Sequence, residues 1–140
     1  MRIYILSRNK DLYSTRRLVE EATAKGWEVR VIDYLKCTIE IMKNELVVNY
    51  EGKVLPTPDA IIPRIGASRT FYGAAMVRHF EMIDVFSTTG NLALTRSRDK
   101  LRSLQVLSKN GVDMPRTVFA SNKSNAKDVI ALSGGAPLVL

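Results

Sequence analysis

Residues 2–33 read RIYILSRNKDLYSTRRLVEEATAKGWEVRVID, and this stretch decides the fold. Its opening, Arg2 to Ser7, is a short apolar run rich in Ile and Leu, the pattern of a buried parallel strand. Ser14 or Thr15 supplies a cap for a helix that buries Leu18, Val19 and Ala22 and ends at Gly26, where left-handed backbone costs a glycine little. Trp27 to Ile32 is a second strand, with Trp27, Val29 and Val31 on one face and Asp33 at its end. Together these make one β-α-β unit, and such crossovers are almost always right-handed and parallel.

Further on the pattern changes. Thr38 to Met42 alternates, and Glu45 to Leu55 reads as two short strands around a turn at Glu51-Gly52-Lys53, ended by Pro56 and Pro58. Asp59 to Pro63 supplies another core strand. Thr70 caps a helix whose Tyr72, Met76, Phe80 and Ile83 form one stripe, and a short strand at Val85 to Thr88 closes the sheet. The expected fold is α/β: a doubly wound, mostly parallel, Rossmann-like sheet with a small antiparallel excursion. A helix from Asn91 to Lys109, with Leu94, Leu101 and Leu104 inward and Gly111 as its cap, leads into something new. Val112 to Ala120 reads as a strand interrupted by Pro115, Asn122 to Ser133 as a short helix, and Leu138-Val139-Leu140 as the start of a strand. The division expected is residues 1–91 and 92–140, the second an incomplete domain that stops within a strand.

The sequence has 140 residues, 46% hydrophobic and 25% charged, the make-up of a globular chain. No run approaches the ~20 apolar residues that a membrane-spanning helix needs. The apolar start is too short for a signal peptide. The one cysteine, Cys37, cannot form an internal disulfide, which suits a reducing compartment, so a cytoplasmic protein without membrane association is expected. The net charge of +7 fits either an anionic partner or a basic solvated surface, and both stay open.

Ser7-Arg8-Asn9-Lys10 follows the first strand without the glycines a dinucleotide turn requires, and its charge is wrong for a phosphate-accepting receiver. Gly134-Gly135 lacks the Lys-Ser or Lys-Thr of a P-loop. Arg64-Ile65-Gly66-Ala67-Ser68-Arg69-Thr70 lies at the carboxyl end of a strand, where open α/β sheets bind ligands. There Arg64 and Arg69 favour an anion and Gly66 permits tight backbone geometry; the alternative is an ordinary basic loop. In Arg96 to Arg102, Arg96 and Lys100 share one helical face and Arg98 and Arg102 another, with Asp99 able to pair with Arg102; such a run suits phosphate or simply a solvated surface. His79 and Cys37 have no partners in sequence that would make them catalytic or metal-binding, and the Asn122-Lys123-Ser124 sequon has no meaning in the cytoplasm.

Several phrases occur together in order: Ile5-Leu6-Ser7-Arg8, Leu12-Tyr13-Ser14, Pro63-Arg64-Ile65-Gly66, Thr70-Phe71-Tyr72-Gly73, Arg98-Asp99-Lys100-Leu101-Arg102-Ser103 and Gly134-Gly135-Ala136-Pro137-Leu138-Val139. On these the chain resembles the amino-terminal half of a RimK-type ATP-grasp ligase, a family that adds glutamate to the C-terminus of a small-subunit ribosomal protein. Tyr34 departs from the proline the family often has after the aspartate, in a loop. The resemblance implies a pre-ATP-grasp domain, then the start of an ATP-grasp domain, with ATP and Mg²⁺ as its requirements and the ribosomal protein's C-terminal peptide and glutamate as partners. It implies that Lys100 contacts the ATP phosphates and that Arg64 and Gly66 face the peptide or acyl phosphate; Arg69 remains a candidate for the same anion site from the loop's own charge. A further nucleotide-binding lysine and the Mg²⁺ ligands are implied beyond residue 140. No catalytic or metal-binding residue is therefore expected here, and these 140 residues alone are expected to be inactive.

The other readings are a ligase of lysine biosynthesis acting on a carrier protein, a non-catalytic module binding an acidic peptide, and a nucleic-acid binder. The last lacks a recognition helix or interleaved aromatics, so no nucleic acid is expected. An open strand edge near the end of the chain leaves homo-oligomer formation open.

Overall fold

The computed structural model describes residues 1–121 and 126–138. The chain forms two compact units, Met1–Arg98 and Asp99–Leu140. This boundary and the division expected at residue 91 differ by one short helix.

In the first unit, β1 (Arg2–Leu6) lies between β2 (Glu28–Ile32) and β6 (Ala60–Pro63), with β7 (Phe86–Ser87) outside β6. All pairings are parallel, and Ile5 faces Val31 on one side and Ile62 on the other. A central strand has no solvent face, so the unbroken apolar run of β1 is buried from Ile3 to Leu6. The chain first steps from β1 to β2 and later continues on β1's other side, so the strand order reverses between β1 and β6.

Helix α1 spans Tyr13–Ala24. Neither Ser14 nor Thr15 caps it, contrary to expectation: the helix begins before them at N-cap Leu12, which puts both hydroxyls inside the first turn. Thr15 is buried, its hydroxyl 3.3 Å from that of Ser7. The far end closes as expected at Gly26, whose φ of 73° lets Gly26 N–H reach the Thr23 carbonyl and Trp27 N–H that of Ala22.

The antiparallel excursion is a three-stranded sheet, β3 (Cys37–Met42), β4 (Glu45–Tyr50) and β5 (Lys53–Val54). Positive φ at both Glu51 and Gly52 gives the tight turn between β4 and β5 the hand that matches strand twist. Cys37, Val48 and Leu55 carry its inner face into the common core.

Helix α2 (Thr70–Met82) presents the expected stripe: Met76 and Phe80 are fully buried, with Tyr72 and Ile83 packed beside them. Thr70 is not its cap. A 3-10 turn over Ala67–Arg69 already leads into the helix, and the Thr70 hydroxyl donates back to the Ala67 carbonyl at 2.9 Å. The helix expected over residues 91–109 is two: α3 (Asn91–Arg98), in the first unit, and α4 (Lys100–Lys109), in the second. Asp99 separates them, because its extended backbone and its carboxylate, which accepts the Arg102 N–H at 3.0 Å, make it an N-cap.

In the second unit α4 ends as expected at Gly111, φ 70°, with Val112 N–H bonded to the Leu107 carbonyl. Val112 to Ala120 is irregular and not a strand; it has no strand to pair with among the described residues, and Pro115 offers no N–H to a ladder. Helix α5 spans Ala126–Ser133. The first residues of the helix expected from Asn122, the sequon, and the terminal Val139-Leu140 lie outside the described residues.

Candidate functional site

The reversal between β1 and β6 makes their carboxyl ends the place where an open sheet leaves a crevice. Arg64 emerges there from β6, its N–H bonded to the Leu6 carbonyl at 2.9 Å. Its guanidinium crosses to the first turn of α1 and donates from Nη2 to Ser14 Oγ at 2.9 Å. Ile65 turns into the core, and its carbonyl accepts a 2.7 Å hydrogen bond from Arg98 Nη2 at the end of α3. A cleft of about 390 Å³ opens among Leu12, Pro63, Arg64, Ile65, Gly66, Thr89, Leu94 and Arg98.

Two other elements hold this loop in place. Glu81 of α2 receives both the backbone and the side-chain N–H of Asn91, fixing the start of α3 and so the helix that carries Arg98. Gly73 of α2 lies against Ile65, leaving no room for a β-carbon.

Of the residues singled out from sequence, Arg64 and Gly66 meet in this cleft, whereas Arg69 is the N-cap of α2 and not among its walls. Gly66 does not need its glycine for backbone shape. Its φ of −72° and ψ of 151° suit any residue, and a β-carbon there would meet nothing.

Lys100 is exposed on the first turn of α4, in the other unit. A lysine ammonium there has the point charge suited to a phosphate. Because the helix breaks at Asp99, the pairs Arg96 with Lys100 and Arg98 with Arg102 do not share continuous helical faces. Asp99 meets Arg102 through the backbone N–H. The same unit holds a groove of about 650 Å³ between α4 and residues 114–119, and Lys100 is not among its walls.

After β1, the chain turns on its own side chains: Ser7 Oγ donates to the Asn9 carbonyl, and Asn9 Oδ1 accepts the Asp11 N–H at 2.8 Å. The neighbouring recess mixes Arg8, Lys10 and Lys36 with Asp33, and Lys36 is paired with Glu51 at 2.7 Å. His79 is buried, its Nε2 without a partner; burial lowers its pKa, and a backbone hydrogen bond with Val47 partly offsets this. Burial, then the charge of Asp33, pushes the Cys37 thiol up to about 12, which leaves it a protonated core group. Among the described residues, no three His, Cys, Asp or Glu side chains are grouped to hold a metal ion, and no helix is long and apolar enough to cross a membrane.

Arg98 and Ser14 are the residues that sequence reasoning undervalued. Residue by residue, Arg98 read as one charge in a basic run and Ser14 as a helix cap. The sequence signal that could have linked them to the cleft was the joint occurrence of Leu12-Tyr13-Ser14, Pro63-Arg64-Ile65-Gly66 and Arg98-Asp99-Lys100.

A family model described as the RimK PreATP-grasp domain matches residues 1–94. A probable alpha-L-glutamate ligase 1 of Pseudoalteromonas atlantica is 58% identical over all 140 residues, which cover 46% of that protein. A probable alpha-L-glutamate ligase of Psychromonas ingrahamii is 54% identical, again over the whole chain and 46% of its own length. The chain thus spans about half the length of these curated relatives. Among solved structures, the macrocyclase MdnB from Microcystis aeruginosa MRC superposes with a TM-score of 0.67 at 15% identity, over 94% of this chain and 58% of that one. The ATP-grasp ligase PsnB, complexed with a phosphomimetic variant of its minimal precursor, Mg and ADP, gives 0.66 at 16% identity, over 98% and 56%. At such identities the likeness is one of fold.

Proposed function

The chain belongs to the RimK pre-ATP-grasp family, and from that premise we propose that it is the amino-terminal part of an ATP-dependent carboxylate–amine ligase. The reaction adds glutamate to the C-terminus of a small-subunit ribosomal protein in the cytoplasm. The observation that carries this reading is the 58% identity, over the whole chain, to a protein named as a probable glutamate ligase.

The chemistry joins two anions, an acceptor carboxylate and ATP. The γ-phosphoryl of ATP passes to the carboxylate, the amine of glutamate attacks the acyl phosphate, and an amide, ADP and phosphate result. Cations and positioning supply most of the catalysis in such a transfer. Lys100 is assigned to the ATP phosphates. Arg64 and Gly66 face the acceptor side, with Arg69 on the adjoining rim. Mg²⁺ neutralises phosphate charge in this chemistry, and its ligands are assigned to the length of the relatives that this chain does not span. These 140 residues are accordingly inactive by themselves.

The test is ATP-dependent incorporation of labelled glutamate by the full-length protein. A C-terminal ribosomal-protein peptide and an acidic carrier protein of lysine biosynthesis serve as alternative acceptors. Labelling of the peptide supports the reading; labelling of the carrier protein alone, or binding of the peptide without ADP release, replaces it with one of its rivals. Ligation by the 140-residue chain would overturn the assignment of essential groups elsewhere.

A further inference from the structure

We propose that the cleft at the β1–β6 reversal is a carboxylate-binding site of amino-acid size in which Arg98, with Arg64, supplies the ligating groups. This rests on the ligase reading for the identity of the carboxylate but not for its chemistry.

Both guanidiniums are oriented by neutral acceptors. Arg64 donates to the Ser14 hydroxyl and Arg98 to the Ile65 carbonyl. Neither takes part in an ion pair among the described residues, unlike Arg2, Arg17 and Lys36, whose charges are met by glutamates. A hydroxyl or carbonyl fixes a guanidinium without neutralising it, so two charges stay pre-aimed and uncompensated. No acidic side chain is among the walls of the cleft.

An arginine carries five N–H donors, so one hydrogen bond to its own protein leaves an edge free for a bidentate anion. The remaining walls decide which anion. Leu12, Pro63, Ile65 and Leu94 are apolar, and Thr89 adds a hydroxyl. A phosphate would set charged oxygens against those apolar walls, whereas a carboxylate puts both oxygens on the arginines and its aliphatic body on the leucines. The volume of about 390 Å³ lies at the small end of ligand pockets, consistent with one amino acid or one terminal residue.

The test is an NMR titration of the ¹⁵N-labelled 140-residue chain with L-glutamate, with an Ala-Ala-Glu peptide, and with orthophosphate. Expected are shifts at the Ile65 and Gly66 amides and at the Arg64 and Arg98 side-chain N–H signals with a carboxylate probe, and weaker ones with orthophosphate. Response to glutamate alone assigns the cleft to the free amino acid, and response to the peptide alone to an acceptor terminus. Arg98→Lys keeps the charge but loses the fork and is expected to weaken binding about tenfold. Ser14→Ala, a mild substitution at a half-buried position in the first turn of α1, is expected to weaken it less by freeing Arg64. Absence of carboxylate shifts, orthophosphate binding as tightly, or unchanged binding in both variants overturns the proposal. The two readings fail separately. Full-length protein that ligates glutamate with unchanged KM for both substrates after Arg98→Lys defeats the cleft and keeps the ligase; carboxylate shifts at the cleft with no ligation of any acceptor keep the cleft and defeat the ligase.

Discussion

The α-carbon of Gly73 faces Ile65 so closely that a β-carbon at position 73 would fall inside the Ile65 Cγ2 and 3.0 Å from both Cγ1 and Cδ1. Ile65 is buried and is the residue whose carbonyl Arg98 holds, so the packing of α2 and the position of the cleft loop are one arrangement. Gly73→Ala is expected to destabilise the chain by about 1–3 kcal/mol, the range for overpacking, although alanine is the better helix former. Ile65→Ala, which removes all three of these atoms, should cost less in the Gly73→Ala background than in the original chain. Denaturant unfolding of the four proteins checks this, and additive single effects would show that the two positions do not meet.

At the end of α2, Asp84 adopts φ 61°, with its N–H bonded to the Glu81 carbonyl and that of Val85 to the Phe80 carbonyl. This is the geometry in which helices usually place glycine, and a side chain there carries a cost of about 1 kcal/mol. Asp84→Gly is expected to raise the melting temperature by a few degrees. A lowered melting temperature would mean that the Asp84 side chain contributes more than its backbone strain costs.

His79 is held neutral. Its imidazole is buried in the core with Nε2 unpaired, so its pKa in the folded chain lies below the ordinary 6.5. The unfolded chain therefore binds a proton more readily. Stability is full above about pH 6.5 and falls as the pH drops from there towards the lowered folded value. Melting temperatures from pH 7.5 to 5 should decline across that interval, and His79→Gln should flatten the decline. An imidazole that titrates at or above 6.5 by NMR would refute the direction.

Much of this fold was legible because its signals are local. The apolar run of β1, the stripe of α2 and the glycines at 26 and 111 each carry their own physics within a few residues. The misreadings arose where a local rule met a competitor. Ser14, Thr15 and Thr70 look like caps, but all three lie within the first turn of their helices, behind N-caps Leu12 and Arg69, and their hydroxyls serve other bonds. Residues 112–120 have strand-like composition and no partner strand among the described residues, and strand structure is a property of pairs. The cleft was half legible. Arg64 and Gly66 sit at a strand end that sequence can place, whereas Arg98 reaches it from 33 positions away, and a span of that kind leaves no periodic trace.

The division of α3 from α4 rests on one side chain. The carboxylate of Asp99 accepts the Arg102 N–H, and its backbone is extended at φ −88° and ψ 98°. Two effects act in the same direction in Asp99→Ala: the lost cap removes about 1 kcal/mol that favours the break, and alanine favours helix over aspartate by roughly 0.6 kcal/mol. The break should therefore weaken, with a small gain in helical circular dichroism and slower amide exchange at residues 99–102. Faster exchange at Arg102 with no gain in helical signal would mean that the extended backbone persists without the carboxylate, and that the side chain alone does not keep Arg98 and Lys100 on separate helices.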